Sequence, residues 1–201
     1  IRDCVKHLLI TQLIARPIAV YYILYPLCQP IMKMGRDDPV PDILTIFLQL
    51  LFSLAFADTG FYWAHRLLHH RSIYKYIHKQ HHQFKVTIGI ASEYAHPVED
   101  VLANLIPTLF GPIIVRAHIT VFWLWIVIRL TETWDAHSGY DFPWSPWSLM
   151  PLGSGADRHD FHHSHNVGNF GGFTTFWDSL MGTDKDYLNW VAQKKKEKKL
   201  E

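Results

Sequence analysis

Apolar residues are concentrated in three long stretches that predict helices of membrane length. Residues 43–63 begin with ILTIFLQLLFSLAFA, which has no charged side chain. Since about 20 residues cross a bilayer, this stretch is the strongest transmembrane candidate. Residues 8–32 are also mostly apolar, but Arg16, Pro17 and Pro26 interrupt them. That first stretch is expected either to cross the bilayer or to lie partly in its interface.

The third stretch, residues 101–128, has two apolar arms around the sequence GPIIVRAH. Gly111 and Pro112 are residues that commonly interrupt helices, and Arg116 is a charge poorly suited to lipid. The pattern predicts a helical hairpin that enters and leaves the membrane on one side. Buried helices of a soluble protein are the alternative, but these apolar runs are longer than core helices require. The expected fold class is therefore all-α, an integral membrane protein with transmembrane helices.

Basic residues predict the orientation of these segments. They follow the second apolar stretch and crowd the tail at 188–201, as Arg66, Arg71, Lys75, Lys79, Lys85, Lys194, Lys195, Lys196, Lys198 and Lys199. Because cytosolic loops carry an excess of lysine and arginine, both regions are expected to face the cytosol. The final KKLE also matches the dilysine retrieval signal of endoplasmic reticulum membrane proteins. A solvated lysine tail is the alternative.

Composition narrows the range of functions. A chain of 201 residues is expected to form one domain over residues 1–201. The formal net charge of +1, without basic stretches interleaved with aromatic residues, makes nucleic acid an unlikely partner. Cys4 and Cys28 form no C-x-x-C pair, so the site chemistry is expected to rest on imidazoles. The chain opens with Ile1 and without a signal-peptide pattern, so we expect its start to be missing.

Histidines occur in three clusters with repeated spacing. In HRLLHH, His65 and His69 are four residues apart, which on a helix places both rings on one face. An H-x-x-H-H spacing follows at 78–82 and recurs in HDFHH at 159–163. Adjacent helical positions diverge by about 100°, so adjacent histidines can reach two different ions. The pattern predicts a site for two metal ions, formed by His65, His69, His78, His81, His82, His159, His162 and His163.

The remaining histidines divide according to their neighbours. His137 follows an apolar helix and lies near Glu132 and Asp135, whose carboxylates could accept its second N–H, so it is expected to be a ligand. His96 in EYAHP is either a ligand or a polar group that positions the site. The other four are not expected to bind metal directly: His70 and His165 are expected to support the ligands from outside or to be exposed, and His7 and His118 are not expected to be ligands.

Imidazole ligands suit iron, zinc and copper, so the ligand type alone does not identify the metal. The chain has one E-x-x-H pair, Glu93 to His96, where soluble di-iron bundles use two, and it has no H-E-x-x-H motif of a zinc protease. Aromatic segments lie beside the histidines, as FYW at 61–63 and FPWSPW at 142–147. Such a setting can hold a lipid.

Taken together, these motifs resemble the fatty acid hydroxylase and sterol desaturase superfamily. Within it, HRLLHH, YKYIHKQHH, EYAHPVE, ETWDAHSGYDFPW, and HDFHH followed by GNF and MGTD closely resemble the C-4 methylsterol monooxygenases. The resemblance runs from Asp58 to Tyr187 and includes residues between the histidines. It implies a single fatty acid hydroxylase-like domain, with a histidine-rich catalytic region at 65–96 and 131–187.

This resemblance implies an enzyme of sterol biosynthesis in the endoplasmic reticulum membrane. Members oxidise a methyl group at C-4 of a sterol stepwise to alcohol, aldehyde and carboxylate, using O2 and electrons passed from NAD(P)H through a reductase and cytochrome b5. Two non-haem iron ions and association with other C-4 demethylation enzymes are also implied. Carried over by position, the ligands are His65, His69, His78, His81, His82, His137, His159, His162 and His163, with His96 as the candidate for a tenth.

The chemistry agrees with this implication. An unactivated methyl C–H bond resists acid–base catalysis, so a redox-active metal is needed, and iron rather than zinc can act in that way. Residues expected to support the ligands from outside are His70, Glu132, Asp135 and Asp160. Residues expected to contact the sterol are Tyr94, Trp134, Tyr140 and Trp144. These four aromatic side chains could instead anchor the helices at the membrane interface.

Two kinds of alternative remain open to the sequence. Sterol desaturation and fatty acid hydroxylation use the same histidine pattern. A histidine-rich membrane metal transporter or metal-binding protein belongs to a different class, and a transporter's histidines would line a path through the bilayer. Here the histidines cluster outside the long apolar run, which weighs against transport.

Overall fold

Helices account for the regular structure in the computed structural model, which describes residues 1–35 and 37–200. Within those residues there are no β-strands, and the isolated bridges join Lys33 to His118 and Gly153 to Thr174. The all-α expectation is confirmed for this part of the chain.

The first two helices are long and apolar enough to cross a membrane. Helix α1 spans Arg2–Cys28 and helix α2 spans Ile43–Leu68. At about 1.5 Å per residue, either helix exceeds a hydrocarbon core of about 30 Å. The Asp42 carboxylate accepts hydrogen bonds from the backbone N–H and the hydroxyl of Thr45, which caps the start of α2. Helix α1 begins and ends earlier than the predicted stretch at 8–32.

Prolines do not break helix α1, because each of its two prolines follows a widened turn. Helix α1 contains π-helical turns at Thr11–Ala15 and Val20–Leu24, and each is followed two residues later by a proline, Pro17 and Pro26. Proline lacks an N–H group and its ring clashes with the carbonyl four residues earlier, so a wider preceding turn relieves the clash. These interruptions therefore leave α1 continuous.

The next two helices form a helical hairpin over residues 97–136, which is longer than the predicted hairpin at 101–128. Helix α3 covers residues 97–114, as Pro97–Glu99, a π-helical turn at Asp100–Leu105, and Ile106–Ile114. Helix α4 spans Ile119–Ala136. The backbone reverses at residues 115–118, where Arg116 has a positive φ of 50° and its side chain donates to the carbonyl of Ile31. The His118 ring then accepts from the N–H of Thr120 and caps α4.

The expectation that Gly111 and Pro112 interrupt the helix between the two arms of the hairpin is wrong, because both residues lie inside α3. Gly111 instead lets α3 approach α2 closely. A Cβ atom at this position would lie 2.7 Å from the Cα of Ser53, closer than two helices can tolerate. The glycine is therefore a packing requirement.

Shorter helices cover one end of the long ones. They are α5 at Pro146–Leu149, α6 at Gly155–His165, α7 at Phe176–Met181 and α8 at Lys185–Glu197. Phe173 stacks on Trp125 of α4, and both are almost fully buried with Ala57 of α2. Asp58 accepts hydrogen bonds from the backbone and the side chain of Thr174. These contacts fix the loop between α6 and α7 against the membrane-length helices, where the histidines meet.

Candidate metal centre

The three histidine clusters converge at the end of α2. His65 and His69 occupy its last turn and C-cap, one helical turn apart. The second cluster lies on a 3₁₀ segment, His78–Gln83, rather than on an α-helix. The third lies on α6, and His137 caps the end of α4. Four separate elements thus supply imidazoles to one region.

Five of these histidines form the first group. Their candidate ligand atoms all lie within 4.8 Å of one another in the set His65, His69, His78, His82 and His162. The Nε2 atoms of His65 and His78 are 3.1 Å apart, and those of His82 and His162 are 3.2 Å apart. All are buried except His69, which is partly buried.

Four further histidines form the second group, His81, His137, His159 and His163, all of them buried. The Nε2 atoms of His137 and His159 lie 2.9 Å apart, and those of His159 and His163 lie 3.1 Å apart. The two groups are neighbours, because the rings of His82 and His163 stack with centroids 4.4 Å apart.

Adjacent histidines separate between the two groups, as their spacing predicts. His82 lies in the first group and His81 in the second, and His162 and His163 divide in the same way. The structure therefore brings together all nine histidines of the expected ligand set. His96 joins neither group: it is partly buried, and its Nδ1 accepts from the N–H of Val98 at the start of α3. His96 therefore acts as the N-cap residue of α3.

The donor set fits metal ions because imidazole lone pairs converge. The Nδ1 atoms of three rings lie against backbone carbonyls: His65 at 3.0 Å from Phe170, His137 at 2.9 Å from Thr133, and His162 at 2.6 Å from Gly168. A carbonyl only accepts, so each ring carries its proton on Nδ1 and directs an unprotonated Nε2 into its group. The lone pairs that face one another within a group repel, and a cation bound in each group would relieve that repulsion.

One of these supporting carbonyls depends on a glycine in the GNF loop. Gly168 has a positive φ of 54°, and a Cβ atom there would lie 2.1 Å from the carbonyl oxygen of Thr183. A side chain at this position would displace the backbone that orients His162. Asp178 fixes the same loop by accepting from the N–H groups of Phe170 and Gly171. The residues between the histidine motifs thus have a positioning role.

Burial keeps the grouped imidazoles neutral. Desolvation, followed by repulsion from neighbouring histidines, lowers the pKa of His69 to about 2. Burial also lowers the pKa of His137 to about 3 and that of His163 to about 4. A neutral imidazole is the form that binds a metal ion, so the groups are ready to bind at neutral pH without losing protons.

The metal-free protein is therefore expected to lose stability as the pH falls from about 7 to about 5. The unfolded histidines take up protons near their ordinary pKa of 6.5, whereas His69, His137 and His163 in the fold resist protonation until much lower pH. Because the unfolded state then binds more protons, acid favours it. Thermal unfolding midpoints measured across this range should decrease together with the pH. A constant midpoint would contradict the description of these rings as buried and neutral.

A carboxylate that the sequence analysis did not single out supports the first group. Glu99 is almost fully buried, and its Oε1 lies 2.8 Å from Nδ1 of His78, a close ionic contact whose geometry is not that of a hydrogen bond. Carboxylates that accept from the second nitrogen of a histidine ligand fix its orientation and increase its basicity. The only sequence signal is the position of Glu99 in EYAHPVE, one of the motifs that carry the resemblance.

Replacing Glu99 with glutamine should weaken metal binding by about 10- to 100-fold, the usual effect of losing such a partner. The measurement is iron binding in competition with a chelator. Glu93→Gln is the matched control, because the Glu93 carboxylate pairs with Arg16 at 2.6 Å and not with a grouped histidine. Equal affinities in the two variants would mean that Glu99 does not support the site.

Other expected supporting residues have different partners. His137 donates to the backbone of Thr133, so the expectation that Glu132 or Asp135 accepts this proton is wrong. Glu132 pairs with Arg129 at 2.6 Å, and Asp135 accepts from Ser145. Asp160 accepts from both the N–H and the hydroxyl of Thr87, which ties α6 to the segment after the second cluster. His70 is exposed at the surface.

A small cavity, lined by His65, His78, His81, His137 and His159, adjoins a larger one of about 480 Å³. The larger cavity is lined mainly by apolar side chains of α1, α3 and α4, among them Leu24, Leu105, Leu109, Phe122 and Ile126. Its volume lies within the usual range for small-molecule pockets. Asn104, Arg129 and Thr133 line both cavities and lie between them.

The expected sterol-contacting aromatic residues lie elsewhere. Trp134, Tyr140 and Trp144 are 51%, 68% and 72% exposed and line neither cavity. Tyr94 is buried, but it packs edge-on against His7 and Phe84. None of these four residues lines either of the two cavities, and their contact with a sterol stays a prediction. The wall of the larger cavity is formed by the faces of α1, α3 and α4 that pack toward one another.

Comparisons with known proteins agree with this geometry. The family model described as "Fatty acid hydroxylase" matches residues 50–183. The C-4 methylsterol oxidase of Candida albicans is 39% identical over 186 residues, which are 90% of this chain and 60% of that protein. Methylsterol monooxygenase 1 of Rattus norvegicus is 45% identical over 139 residues, 69% of this chain and 47% of that protein.

A relative with a different named activity is similarly close. The very-long-chain aldehyde decarbonylase GL1-11 of Oryza sativa subsp. indica is 39% identical over 171 residues. The match covers 84% of this chain and 64% of that protein, so the chain spans less than two thirds of this relative's length. No solved structure matches the chain.

Proposed function

Since this chain belongs to the fatty acid hydroxylase family, we propose that it is a membrane-bound di-iron monooxygenase acting on the C-4 methyl groups of 4-methyl and 4,4-dimethyl sterols. The observation that carries the proposal is the placing of nine histidines, in two adjacent groups, at one end of a large apolar cavity. Relatives named for methylsterol oxidation support the substrate class.

Each histidine group would hold one iron ion. His65, His69, His78, His82 and His162 would bind the first, and His81, His137, His159 and His163 the second. When bound, redox-active iron would activate O2 for the oxidation of an unactivated C–H bond, with external electrons and protons reducing the second oxygen atom to water. Successive rounds would convert the methyl group to the alcohol, the aldehyde and the carboxylate. The protein's contribution is to orient the ligands through Glu99 and the backbone carbonyls, and to hold the lipid away from water.

Charge in the larger cavity favours a neutral lipid over a fatty acid. Arg16 pairs with Glu93 at 2.6 Å and with Asp100 at 2.9 Å. Arg129 pairs with Glu132 at 2.6 Å. Among the residues described, every arginine that lines the cavity is thus neutralised, and a substrate carboxylate would meet no unpaired cation. This observation supports sterol oxidation over fatty acid hydroxylation.

The transporter and metal-storage alternatives fit the arrangement less well. A transport path would distribute ligands along the membrane helices, whereas the grouped histidines meet at one end of α2 and α4. Sterol desaturation remains compatible with the metal groups. The relative named aldehyde decarbonylase makes a very-long-chain aldehyde a second candidate substrate, because such a substrate is also neutral and apolar.

The proposed setting is the endoplasmic reticulum membrane, with a multi-pass topology and a single domain over residues 1–201. Helices α1 and α2 are the candidate spans. Exposed lysines of α8 and of the final KKLE support placing the catalytic region and the C-terminus in the cytosol. That side would give cytochrome b5, its reductase and the other C-4 demethylation enzymes access to the site.

The test supplies iron-loaded protein in lipid nanodiscs with NADPH, a reductase and cytochrome b5, and identifies products by mass spectrometry. A 4,4-dimethylsterol should yield the alcohol, aldehyde and carboxylate at C-4, whereas a long-chain fatty acid should remain unchanged. Without the reductase and cytochrome b5, turnover should be only trace, and sustained turnover with NADPH alone would contradict the electron route. Conversion of a very-long-chain aldehyde without any sterol product would support the decarbonylase alternative.

A further inference from the structure

A polar partition separates the large cavity from the histidine-lined one. Asn104 of α3 and Arg129 and Thr133 of α4 line both cavities. Arg129 donates to Oδ1 of Asn104 at 3.4 Å and also to the hydroxyl of Thr133. A lipid that reaches the histidines from the large cavity would therefore contact these three side chains.

Arg129 and Thr133 have their hydrogen-bonding capacity largely occupied. Arg129 also donates to Glu132 at 2.6 Å, and its guanidinium lies over the rings of Phe61 and Phe173 at 5.5 and 5.6 Å. The Thr133 hydroxyl accepts from Arg129 and donates to Glu132 at 3.3 Å. These bonds hold both side chains in place and neutralise the arginine.

Asn104 differs from these two, because the NH2 group of its side-chain amide is available to donate a hydrogen bond. Its Oδ1 accepts from Arg129, which fixes the direction of the group. In the part of the chain that the structure describes, no acceptor is bonded to its NH2 group, and the side chain is only partly buried beside the cavities. A neutral amide donor at the end of an apolar cavity suits a hydroxyl or carbonyl oxygen.

We infer that the Asn104 amide donates a hydrogen bond to the C-3 hydroxyl of the sterol and thereby places C-4 at the histidine cavity. The inference rests on the proposed function. A sterol carries one hydroxyl, on the carbon next to C-4, so anchoring that oxygen at the partition directs the adjacent methyl groups toward the metal groups. Apolar contacts alone are non-directional and would let the ring system slide along the cavity. Asn104 is thus a residue that determines which carbon is oxidised.

The test compares a 4,4-dimethylsterol with the same compound lacking its C-3 hydroxyl. Wild-type protein should favour the hydroxylated sterol by about tenfold or more in kcat/KM, since a site built for a hydrogen bond rejects a partner that cannot form it. Asn104→Leu should abolish most of this preference and should release products oxidised at other carbons. Leu105→Ala is the matched control, because Leu105 lines the same cavity without a polar group. Leu105→Ala should lower kcat/KM for both compounds by the same factor, so the preference for the hydroxylated sterol should remain.

Two results would overturn the inference. One is an unchanged preference in Asn104→Leu protein that retains wild-type iron, and the other is a wild-type protein that does not distinguish the two compounds. The second result needs no variant, so misfolding of Asn104→Leu cannot hide it. Equilibrium binding of both compounds to metal-free protein gives the same comparison without turnover. A protein that binds the hydroxylated sterol preferentially but does not oxidise it would refute the proposed function and leave the anchoring role supported.

Discussion

Oxidation of the sterol is expected to fall by more than about 100-fold when either His81 or His82 is replaced by alanine, because loss of an outer partner alone costs about 10- to 100-fold. The two residues are adjacent in the chain but belong to different groups. Each substitution removes one imidazole from a different group, and each should lower the iron bound per protein. Elemental analysis and product formation, measured on folded variants, check the expectation.

His70→Ala provides the control for these substitutions. His70 is next to His69 in the chain, yet it is exposed and its Nδ1 accepts from the N–H of Ser72 at 3.4 Å. Iron content and turnover should therefore stay close to wild type. Wild-type iron in both His81→Ala and His82→Ala would contradict the assignment of two metal ions to the two groups.

A second large effect is expected when the apolar cavity is filled. Leu105 lies on α3 and lines the large cavity next to Asn104. Tryptophan at this position would occupy space that the sterol rings need, so Leu105→Trp should reduce sterol turnover by at least about 100-fold, a loss typical of a substrate moved out of reach of the reacting group. Since Leu105 contacts neither metal group, the variant should retain its iron.

Trp144→Ala separates this effect from a general loss of aromatic surface. Trp144 is 72% exposed and stacks on Phe142 away from both cavities. Its removal should change sterol turnover by less than about twofold, as is usual for surface substitutions. If Trp144→Ala abolished turnover while Leu105→Trp did not, the exposed aromatic residues would be the substrate wall and the large cavity would not.

The arrangement of the histidines could be predicted from the sequence because spacing carries geometric information. Positions four apart share a helical face, and adjacent positions point in different directions. This second rule holds for His81 and His82 although they lie on a 3₁₀ segment rather than an α-helix. Adjacent side chains diverge in either kind of helix, so an error in the type of helix did not affect the prediction of two groups.

Other features depend on tertiary contacts that have no period in the sequence. Nothing in the pattern shows that Pro17 and Pro26 each follow a widened turn, or that Gly111 lies against Ser53 rather than in a loop. The wall of the large cavity is set by how α1, α3 and α4 pack together. Exposed aromatic residues such as Tyr140 were predicted in its place because aromatic composition does not distinguish a cavity wall from a surface.

The support for individual ligands could be predicted only in part. A histidine near acidic residues suggests a carboxylate partner, and this reasoning proposed Glu132 or Asp135 as the partner of His137. In the fold, a backbone carbonyl one helical turn away takes that position, and Glu132 neutralises Arg129 instead. The carboxylate that does contact a grouped histidine, Glu99, is 21 positions from His78 in the chain, a separation that local patterns do not reveal.

The most direct measurement of the central claim is the source of the oxygen atom in the product. Iron-loaded protein is supplied with a 4,4-dimethylsterol, the reductase, cytochrome b5 and NADPH under ¹⁸O2, and the first alcohol is analysed by mass spectrometry. We predict a C-4 hydroxymethyl group whose oxygen is ¹⁸O. An alcohol carrying oxygen from water, or an unchanged sterol from protein with both metal groups filled, would contradict the assignment of this chain as a sterol methyl monooxygenase.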